Sequence, residues 1–234
     1  MDRPWHIDDA HEIGISNGNF LFWASMIRQV IRRSTADETV LDYGCGDGQF
    51  LRLLHQMRPM ASGLGVDTDT MAIDQARKAV RQGEPLEYAP PDVLKNVKQR
   101  FDLIFSQEVF WMIEDLPALA QTLFRVAKER GEYYATFGCH VANPLWPHRR
   151  QLLQDEGFRT FDYSLDQVAD IFDAAGFEVG LKRLPVEYFL VYEPGFTSRR
   201  AQTLSKLVET THDHKMLFCF RRDTEWRESK VGAR

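Results

Sequence analysis

The sequence predicts an α/β fold with a mostly parallel sheet and helices on both faces of that sheet. Three observations support this prediction. Short runs rich in β-branched and aromatic residues alternate with longer segments of helical periodicity. A glycine-rich loop directly follows the first of these short runs, as at the ligand sites of many α/β folds. The 234 residues, 44% of them hydrophobic, are enough to form one domain with a buried core.

The first half of the chain alternates regularly between helices and strands. A helix is expected over 16–33, because Ser16 or Asn17 can cap it and apolar residues recur at helical spacing behind them. Strands are expected at 39–41, 64–66, 86–88, 101–105 and 133–137. Further helices are expected over 47–57, 69–81 and 115–130. Asp115 begins the last of these helices ahead of a proline, which the first turn tolerates, and Gly131 ends it.

The second half of the chain is less regular. Residues 139–160 and 185–213 interrupt the alternation, and we interpret both as insertions. Between them, Ser164 and Gln167 have the spacing of a capping box, which predicts a helix that runs to about Ala175. Two further strands are expected at 177–184 and 215–221, which completes a set of seven.

Composition and charge argue against several classes of partner. The formal net charge of -5 offers no general basic face, so a large nucleic-acid substrate is not expected. No run of 18 apolar residues is present, and the N-terminus lacks the apolar stretch of a signal peptide. We therefore expect a cytoplasmic protein without membrane association. The three cysteines, Cys45, Cys139 and Cys219, lie far apart, so neither a disulfide framework nor a cysteine metal site is expected.

The run D-Y-G-C-G-D-G at 42–48, called the glycine loop below, is the strongest functional signal. Its glycines let a ligand approach the backbone closely. A dinucleotide site needs the spacing G-x-G-x-x-G, and the spacing here is one residue too short. Asp42 and Asp47 would also repel a pyrophosphate, whereas they suit a ligand that carries an ammonium and a sulfonium. The alternative is that the glycines form only a tight turn.

A further acidic residue, Asp67, ends the second predicted strand. A carboxylate at this place can accept two hydrogen bonds from the 2′- and 3′-hydroxyls of a ribose. An acid after a strand is also a common helix cap, which is the alternative. We favour ribose binding because the glycine loop precedes Asp67, and because Asp69 is the better candidate for the cap of the following helix.

These residues together resemble the class I S-adenosylmethionine-dependent methyltransferases of the type that acts on small molecules. The first motif of that family, D-x-G-x-G-x-G, matches 42–48, and its second-strand acid matches Asp67. Its adenine-flanking acid resembles Asp92, although the two prolines before Asp92 would also make a plain turn. Its fourth strand resembles 101–106. The resemblance implies a Rossmann-like, doubly wound, seven-stranded sheet with an antiparallel last strand and a helical N-terminal extension, in one methyltransferase domain over 1–234.

The resemblance also implies S-adenosylmethionine as the cofactor and S-adenosylhomocysteine as the product. Asp42 would engage the methionine ammonium, and the backbone of the glycine loop would line the methionine. Asp67 would hold the ribose, Asp92 would accept from the adenine amino group, and Ser106 would lie near the methyl group. The full set of implied cofactor-binding residues is Asp42, Gly44, Cys45, Gly46, Asp67, Thr68, Asp92, Val93 and Ser106.

The stretch after the fourth strand departs from the family pattern. Many members read E-V-x-E-H-V there, whereas this chain reads E-V-F-W-M-I at 108–113. Trp111 and Met112 therefore replace a glutamate and a histidine, so any base that the family places there is absent. The stretch is expected to belong to the core or to form the wall of an apolar substrate pocket.

A general base is needed only when the acceptor must lose a proton, and His140 is our catalytic candidate for it. His140 follows the fifth predicted strand, on the rim where the cofactor is expected, and an ordinary histidine pKa of about 6.5 suits a base near neutral pH. The alternative is a histidine on a surface loop. His212 and His214 flank Asp213, but two histidines without a third ligand are weak evidence for a metal, so no metal is expected.

Acceptor contacts are expected from the parts that vary around such a sheet. The N-terminal segment 1–36 is expected to fold over the cofactor as a lid, and the insertions 139–160 and 185–213 are expected to form the substrate pocket. The candidate substrate residues are Trp23, Trp111, Trp146 and Tyr188. The alternative for each is packing beneath a long loop. Insertions this rich in aromatic residues favour a small, partly apolar acceptor.

The sequence thus predicts an enzyme that transfers a methyl group from S-adenosylmethionine to the oxygen, nitrogen or carbon of a small molecule. Two alternatives stay open. One is a binding module that keeps the cofactor pocket without transferring the methyl group, because no clear base is present. The other is an RNA or protein methyltransferase, which the net charge and the lack of a separate recognition domain disfavour.

Overall fold

The computed structural model describes residues 17–30, 36–98, 100–186, 189 and 203–224. The strands are β1 Thr39–Tyr43, β2 Ser62–Val66, β3 Leu86–Ala89, β4 Phe101–Gln107, β5 Ala127–Phe137, β6 Glu178–Arg183 and β7 Met216–Arg221. The helices of the described residues are α1 Asn17–Arg28, α2 Gln49–Met57, α3 Thr70–Ala79, α4 Leu116–Val126, α5 Trp146–Asp155, α6 Leu165–Ala175 and α7 Leu204–His212. Short 3₁₀ turns lie at Pro91–Asn96 and Phe110–Met112.

The strands form one seven-stranded sheet in the order β3-β2-β1-β4-β5-β7-β6. The pairs β2–β3, β1–β2, β1–β4 and β4–β5 are parallel. β7 lies antiparallel between β5 and β6. The predicted Rossmann-like fold with an antiparallel last strand is therefore confirmed. The carboxyl ends of the parallel strands share one edge of the sheet, which is where ligands bind in such folds.

The sheet separates two apolar layers, as a doubly wound fold requires. Val40 and Leu41 are neighbours on β1 but belong to opposite layers, because successive side chains of a strand point to opposite faces. The helices α4 and α6 cover the layer that contains Leu41. The helices α1, α2 and α3 cover the layer that contains Val40. Helices therefore shield the sheet from both sides and leave its strand ends open for ligands.

Several helix ends are those that the sequence predicted. Asp69 caps α3, since its carboxylate accepts from the N–H groups of Met71 and Ala72 at 2.9 and 3.2 Å. Ser164 and Gln167 form the complete capping box of α6. These local signals are confirmed because each one satisfies backbone N–H groups that the first turn of a helix leaves unpaired.

The boundary between α4 and β5 differs from the prediction. A helix to residue 130 was expected, but α4 ends at Val126 and β5 begins at Ala127. The N–H of Arg130 donates to the carbonyl of Arg222 at 2.7 Å, which connects this segment to the residue after β7. Arg130 has a φ angle of 61°, outside the helical region. Strand pairing thus overrides the helical propensity of this segment.

Both predicted insertions contain a helix. α5 lies within 139–160, and α7 lies within 185–213. α1 confirms the helix expected over 16–33 from residue 17 to residue 28, but it ends at Arg28, before the predicted end. The first sixteen residues of the expected lid, and the candidate substrate residue Tyr188, lie outside the described residues. Among the residues that the structure describes, no helix is long and apolar enough to cross a membrane.

Candidate active site

The glycine loop joins β1 to α2 and has the open backbone that a close ligand needs. Gly44 and Gly46 have φ angles of 78° and 52°, which favour glycine. A Cβ on Gly44 would come within 2.5 Å of Val109, whereas a Cβ on Gly46 would meet nothing within 4 Å. The N–H groups of Gly44 and Cys45 donate to the carbonyl of Val66 at 2.8 and 3.1 Å. The loop is thus held against β2, and the backbone at Gly46 borders open space.

Asp42, on β1, is a buried carboxylate without a partner. Its side chain is 1% exposed, and neither of its oxygens has a hydrogen-bond partner among the described residues. Burial raises the pKa of Asp42 well above its ordinary value, and the nearby Asp67 raises it further. An unpaired buried carboxylate is costly, so a donor or cation that reaches Asp42 would relieve that cost. The ammonium of S-adenosylmethionine is such a group, and the residues present fit this cofactor.

Asp67 is fixed at the rim of the glycine loop. Its Oδ2 accepts from the N–H of Gly46 at 2.8 Å, and its Oδ1 accepts from the N–H of Asp69 at 2.9 Å. The side chain is only partly buried. Each carboxylate oxygen has a second lone pair, so Asp67 can still accept from ligand hydroxyls while the backbone holds its orientation. Asp69, and not Asp67, caps α3. Asp67 therefore stays a candidate for binding the ribose.

The residues expected around the adenine and the ribose rim lie on the surface. Thr68 is exposed. Asp92 is exposed and pairs with Lys95 at 2.9 Å. Val93 is 42% exposed, and its N–H already donates to the carbonyl of Pro90 at 3.2 Å within the 3₁₀ turn. Asp92 and Val93 therefore follow β3 in a turn, as the sequence also allowed, and their contacts to adenine stay a prediction.

Two other predicted cofactor residues, Cys45 and Ser106, are buried. Cys45 is 7% exposed, and burial raises the pKa of its thiol, which keeps it neutral. Ser106 is 1% exposed, and its hydroxyl shares a hydrogen bond with the hydroxyl of Tyr133. The predicted place of Ser106 near the methyl group is not tested by this contact. The next residue, Gln107, lies at the end of β4 and borders a cavity.

This cavity has a volume of about 270 Å³ and lies beyond the ends of β4 and β5. Its lining comes from α1, α5 and α7, from the ends of β4 and β5 with the segments that follow them, and from the residue before β7. The lining residues are Asn19, Phe22, Trp23, Gln107, Glu108, Trp111, Met112, Thr136, Gly138, Asn143, Leu145, Trp146, Arg149, Leu207, Thr210, Thr211 and Lys215. None of the predicted cofactor-binding residues is among them. The cavity is therefore distinct from the glycine loop. The loop follows β1, whereas the cavity lies at the carboxyl end of β4, the strand next to β1, and of β5.

An ion pair between Glu108 and Lys215 lies in the cavity wall. Glu108 has a φ angle of 58°, and its carboxylate accepts from the N–H of Gly138 at 2.8 and 3.0 Å. Burial alone would raise the pKa of Glu108, but Lys215 and Arg149 lower it to about 2. Burial lowers the pKa of Lys215, and Glu108 opposes that shift. Glu108 is therefore ionised at neutral pH, held by Lys215 and the backbone.

Arg149, on α5, is a second cation of the cavity lining. It is half-buried, and its guanidinium has no hydrogen bond or ion pair with any residue that the structure describes. The next residue, Arg150, differs, because it forms an ion pair with Asp162, and neither of these two residues lines the cavity. α5 thus presents two guanidinium groups in succession, one in an ion pair and one that acts on Glu108 without forming an ion pair with it.

The predicted aromatic substrate residues Trp23, Trp111 and Trp146 are brought together in the cavity lining. The rings of Trp111 and Trp146 are 6.1 Å apart, and Trp146 donates from Nε1 to Asp162 at 2.7 Å. Trp111 is 5% exposed, so it packs in the core and also forms the cavity wall. Its Nε1 and the hydroxyl of Thr210 are buried without a hydrogen-bond partner among the described residues. The cavity therefore combines apolar walls with unused donors.

His140 is not on a surface loop, so that alternative is wrong. It is 1% exposed, and its Nε2 lies 2.9 Å from the carbonyl oxygen of His214. Its Nδ1 has no partner among the described residues. Burial lowers the pKa of His140, which favours the neutral ring. His140 does not line the cavity, and its role as a base stays a prediction.

Glu108, Arg149 and Lys215 were not among the predicted site residues. Glu108 had a usable signal, an acid directly after the fourth strand at the ligand-binding edge. Arg149 lies in the insertion 139–160 that was expected to form the substrate pocket, but the adjacent Arg149 and Arg150 are typical of solvated surface. Lys215 begins a predicted strand and had no separate signal. In the part of the chain that the structure describes, no group of three or more His, Cys, Asp or Glu side chains is placed to hold a metal.

Comparison with known proteins assigns the chain to a family. Residues 19–181, more than half of the chain, match the family described as a methyltransferase domain. The chain is similar to a malonyl-[acyl-carrier protein] O-methyltransferase of Anoxybacillus flavithermus, 32% identical over 46% of this chain and 42% of that one. A protein of the same name from Priestia megaterium is 24% identical over 74% of this chain and 71% of that one.

The fold is also that of a methyltransferase solved in complex with the Haloferax volcanii Trm112 methyltransferase activator. The TM-score is 0.76 at 18% identity, over 92% of this chain and 95% of that one. This chain belongs to the methyltransferase-domain family. The class that its motifs resemble, a class I S-adenosylmethionine-dependent methyltransferase, is confirmed.

Proposed function

We propose that this chain transfers the methyl group of S-adenosylmethionine to a small molecule bound in the cavity, called the acceptor cavity from here on. The position of the cavity carries this proposal. β1 and β4 are neighbours, with Asp42 in register with Phe105. Gln107, two residues farther along β4, lines the cavity. The unpartnered carboxylate of Asp42 and the acceptor cavity thus lie at adjacent strand ends, where a cofactor and an acceptor can meet.

The glycine loop and Asp67 would hold the cofactor, which supplies a methyl group activated by a sulfonium. Asp42 binds the ammonium and thereby gains the partner that it lacks among the described residues. Asp67, held by the backbone at Gly46 and Asp69, accepts from the ribose hydroxyls. Thr68, Asp92 and Val93 are accessible at the same rim.

The chain would contribute to the reaction by orienting the acceptor and by excluding water from the reacting atoms. A displacement at carbon requires the acceptor atom to be in line with the methyl group, and such alignment is worth about 7–11 kcal/mol. Trp23, Trp111 and Trp146 supply large rigid surfaces for this purpose in the acceptor cavity. Their rings also exclude water from the reacting atoms.

Two properties favour a small acceptor over a polymer. The volume of about 270 Å³ is close to the lower end of the range for small-molecule pockets, which begins near ~300 Å³. The net charge of -5 disfavours RNA.

The two relatives from Anoxybacillus flavithermus and Priestia megaterium are named as O-methyltransferases, which supports oxygen as the acceptor atom.

The proposal is tested with purified protein and S-adenosylmethionine labelled in its methyl group. Low-molecular-mass and macromolecular fractions of a cell extract are supplied separately. We expect label in a small molecule and an equal amount of S-adenosylhomocysteine, both lost in Asp67→Ala. Label confined to RNA or protein would support the macromolecular alternative. Tight cofactor binding without S-adenosylhomocysteine in either fraction would support a binding module.

A further inference from the structure

We propose that the acceptor is a carboxylate with an apolar body, that Arg149 binds this carboxylate, and that the methyl group goes to its oxygen to form an ester. This inference rests on the proposed function, since it names the chemical class of the acceptor. Three properties of the acceptor cavity support it, namely its charge, its walls and the protonation states of its lining residues.

The acceptor cavity has an excess of positive charge. Glu108 and Lys215 form an ion pair with each other. Arg149 adds a second cation, and the lining contains no second acid. Its guanidinium has no hydrogen bond or ion pair with a described residue, although it is half-buried. A planar guanidinium in such a setting matches a carboxylate, which it can bind through two parallel hydrogen bonds.

The walls of the acceptor cavity fit the body of an amphipathic anion. Seven of the seventeen lining residues have large apolar side chains. They are Phe22, Trp23, Trp111, Met112, Leu145, Trp146 and Leu207. The Nε1 of Trp111 and the hydroxyl of Thr210 are buried donors without a partner among the described residues. Because an unsatisfied buried donor is unfavourable, these two groups favour a ligand that also carries acceptor oxygens.

The described lining offers no base that could deprotonate an acceptor at neutral pH. Glu108 is the only acid, and its pKa of about 2 makes it a very weak base. Burial lowers the pKa of Lys215, but its Nζ donates to Glu108, and this ion pair opposes the shift and occupies the amine. His140 is outside the lining. An alcohol or an ammonium would have to lose a proton to react, whereas a carboxylate is ionised already at neutral pH.

The reaction balances without a proton acceptor. A carboxylate oxygen forms a bond to the methyl carbon, and the bond between that carbon and the sulfonium breaks with its electron pair going to sulfur. The anion and the sulfonium are thereby converted into a neutral ester and a neutral thioether. Arg149 binds the acceptor before this step and orients it, and loss of the negative charge on methylation favours release of the ester.

The first test compares acids with amides of the same shape. Binding of hydrocinnamate, hydrocinnamamide, octanoate and octanamide is measured by calorimetry with S-adenosylhomocysteine present. We expect at least one acid to bind about 10- to 100-fold more tightly than its amide, the range of a charge-assisted hydrogen-bonded pair. Equal binding within both pairs, or no binding of either acid, would overturn the proposal.

Variants of Arg149 and Arg150 test which guanidinium causes the preference for the acid over its amide. Arg149→Gln is expected to remove the preference for the acid, and Arg149→Lys to keep part of it. Arg150→Gln is the matched control, because Arg150 pairs with Asp162 outside the acceptor cavity, and it should keep the full preference. Thermal unfolding checks that the variants are folded. A folded Arg149→Gln protein that still prefers the acid would contradict the role of Arg149.

The second test examines the chemistry of the labelled product from the cell extract. A methyl ester releases labelled methanol in mild alkali, whereas ethers, methylamines and methylated carbons do not. Alkali-labile label that Arg149→Gln reduces at least about 10-fold supports the inference. Alkali-stable label in a small molecule overturns the inference but leaves the proposed function intact. Alkali-labile label only in the macromolecular fraction supports a carrier-bound carboxylate and contradicts the free small-molecule acceptor.

Discussion

The two halves of the site differ in how far apart their contacting residues lie in the sequence. In the cofactor half, formed by the glycine loop and Asp67, the hydrogen bond from Gly46 to Asp67 spans 21 positions. In the acceptor cavity, the contact between Glu108 and Lys215 spans 107 positions. A site formed by one strand, one loop and the next strand keeps its spacing in the sequence. A cavity formed by distant segments has no such spacing to recognise.

The two halves also differ in charge. The cofactor half is acidic, and Asp42 is buried there without a partner among the described residues. The acceptor cavity has two cations and a single acid in its lining. One edge of the sheet thus presents opposite charges to its two ligands, which favours a cationic cofactor in the first half and an anionic acceptor in the second.

The largest effect is expected where the acceptor cavity also stabilises the fold. Glu108 and Lys215 are only 17% and 12% exposed. Lys215→Met would leave the carboxylate of Glu108 without its partner and cost about 3 kcal/mol of unfolding free energy. Denaturant unfolding measures this. The double variant Glu108→Gln/Lys215→Met should recover most of the loss, because no buried charge remains. A loss well below ~1 kcal/mol in Lys215→Met would mean that the pair is open to water.

In the cofactor half, Asp67→Ala is expected to weaken S-adenosylmethionine binding about 100-fold or more, because hydrogen bonds to a carboxylate are lost. Calorimetry gives the affinity. Asp69→Ala is the control two residues away. It removes the cap of α3, so it should cost about 1 kcal/mol of stability with little change in affinity. Unchanged affinity in Asp67→Ala would remove Asp67 from the cofactor site.

Asp42→Asn should change cofactor affinity and the stability of the cofactor-free protein in opposite directions. The variant is expected to bind the cofactor about 10-fold more weakly, since the ammonium loses a charged partner. The cofactor-free variant should nevertheless be about 1–2 kcal/mol more stable, because an amide buries no charge. Calorimetry and thermal unfolding measure the two effects. Asp47→Asn is the control within the same loop, since Asp47 accepts from Gln49 at 2.6 Å, and both effects should be smaller. A less stable Asp42→Asn protein would show that Asp42 is already paired.

The smallest expected effect is the pH dependence that comes from His140. Burial lowers its pKa, so below about pH 6.5 the unfolded chain takes up a proton more readily than the folded protein does. Stability should therefore fall as the pH falls through that range, and His140→Asn should flatten the dependence. Unfolding at a series of pH values tests this. Full turnover of His140→Asn on the acceptor would show that His140 is not the base.

The predictions from sequence succeeded where the signal was local. The capping box at Ser164, the cap at Asp69 and the strand before the glycine loop each depend on residues within a few positions of one another. The end of α4 was predicted wrongly, because the pairing of Ala127 with Phe101 of β4 begins β5 before Gly131. Local propensity does not contain the position of the partner strand.

By itself, the sequence determined the succession of strands and helices outside the two insertions, and it placed the candidate residues of the cofactor half, whose motif resembles that of the methyltransferases. Those features follow from backbone conformation and from charges at fixed spacing, which neighbouring residues set. Only the tertiary structure brought Trp23, Arg149 and Lys215 into one cavity and paired Lys215 with Glu108. Burial and the approach of distant charges decide what such side chains do, and both arise only when the sheet and its helices have packed.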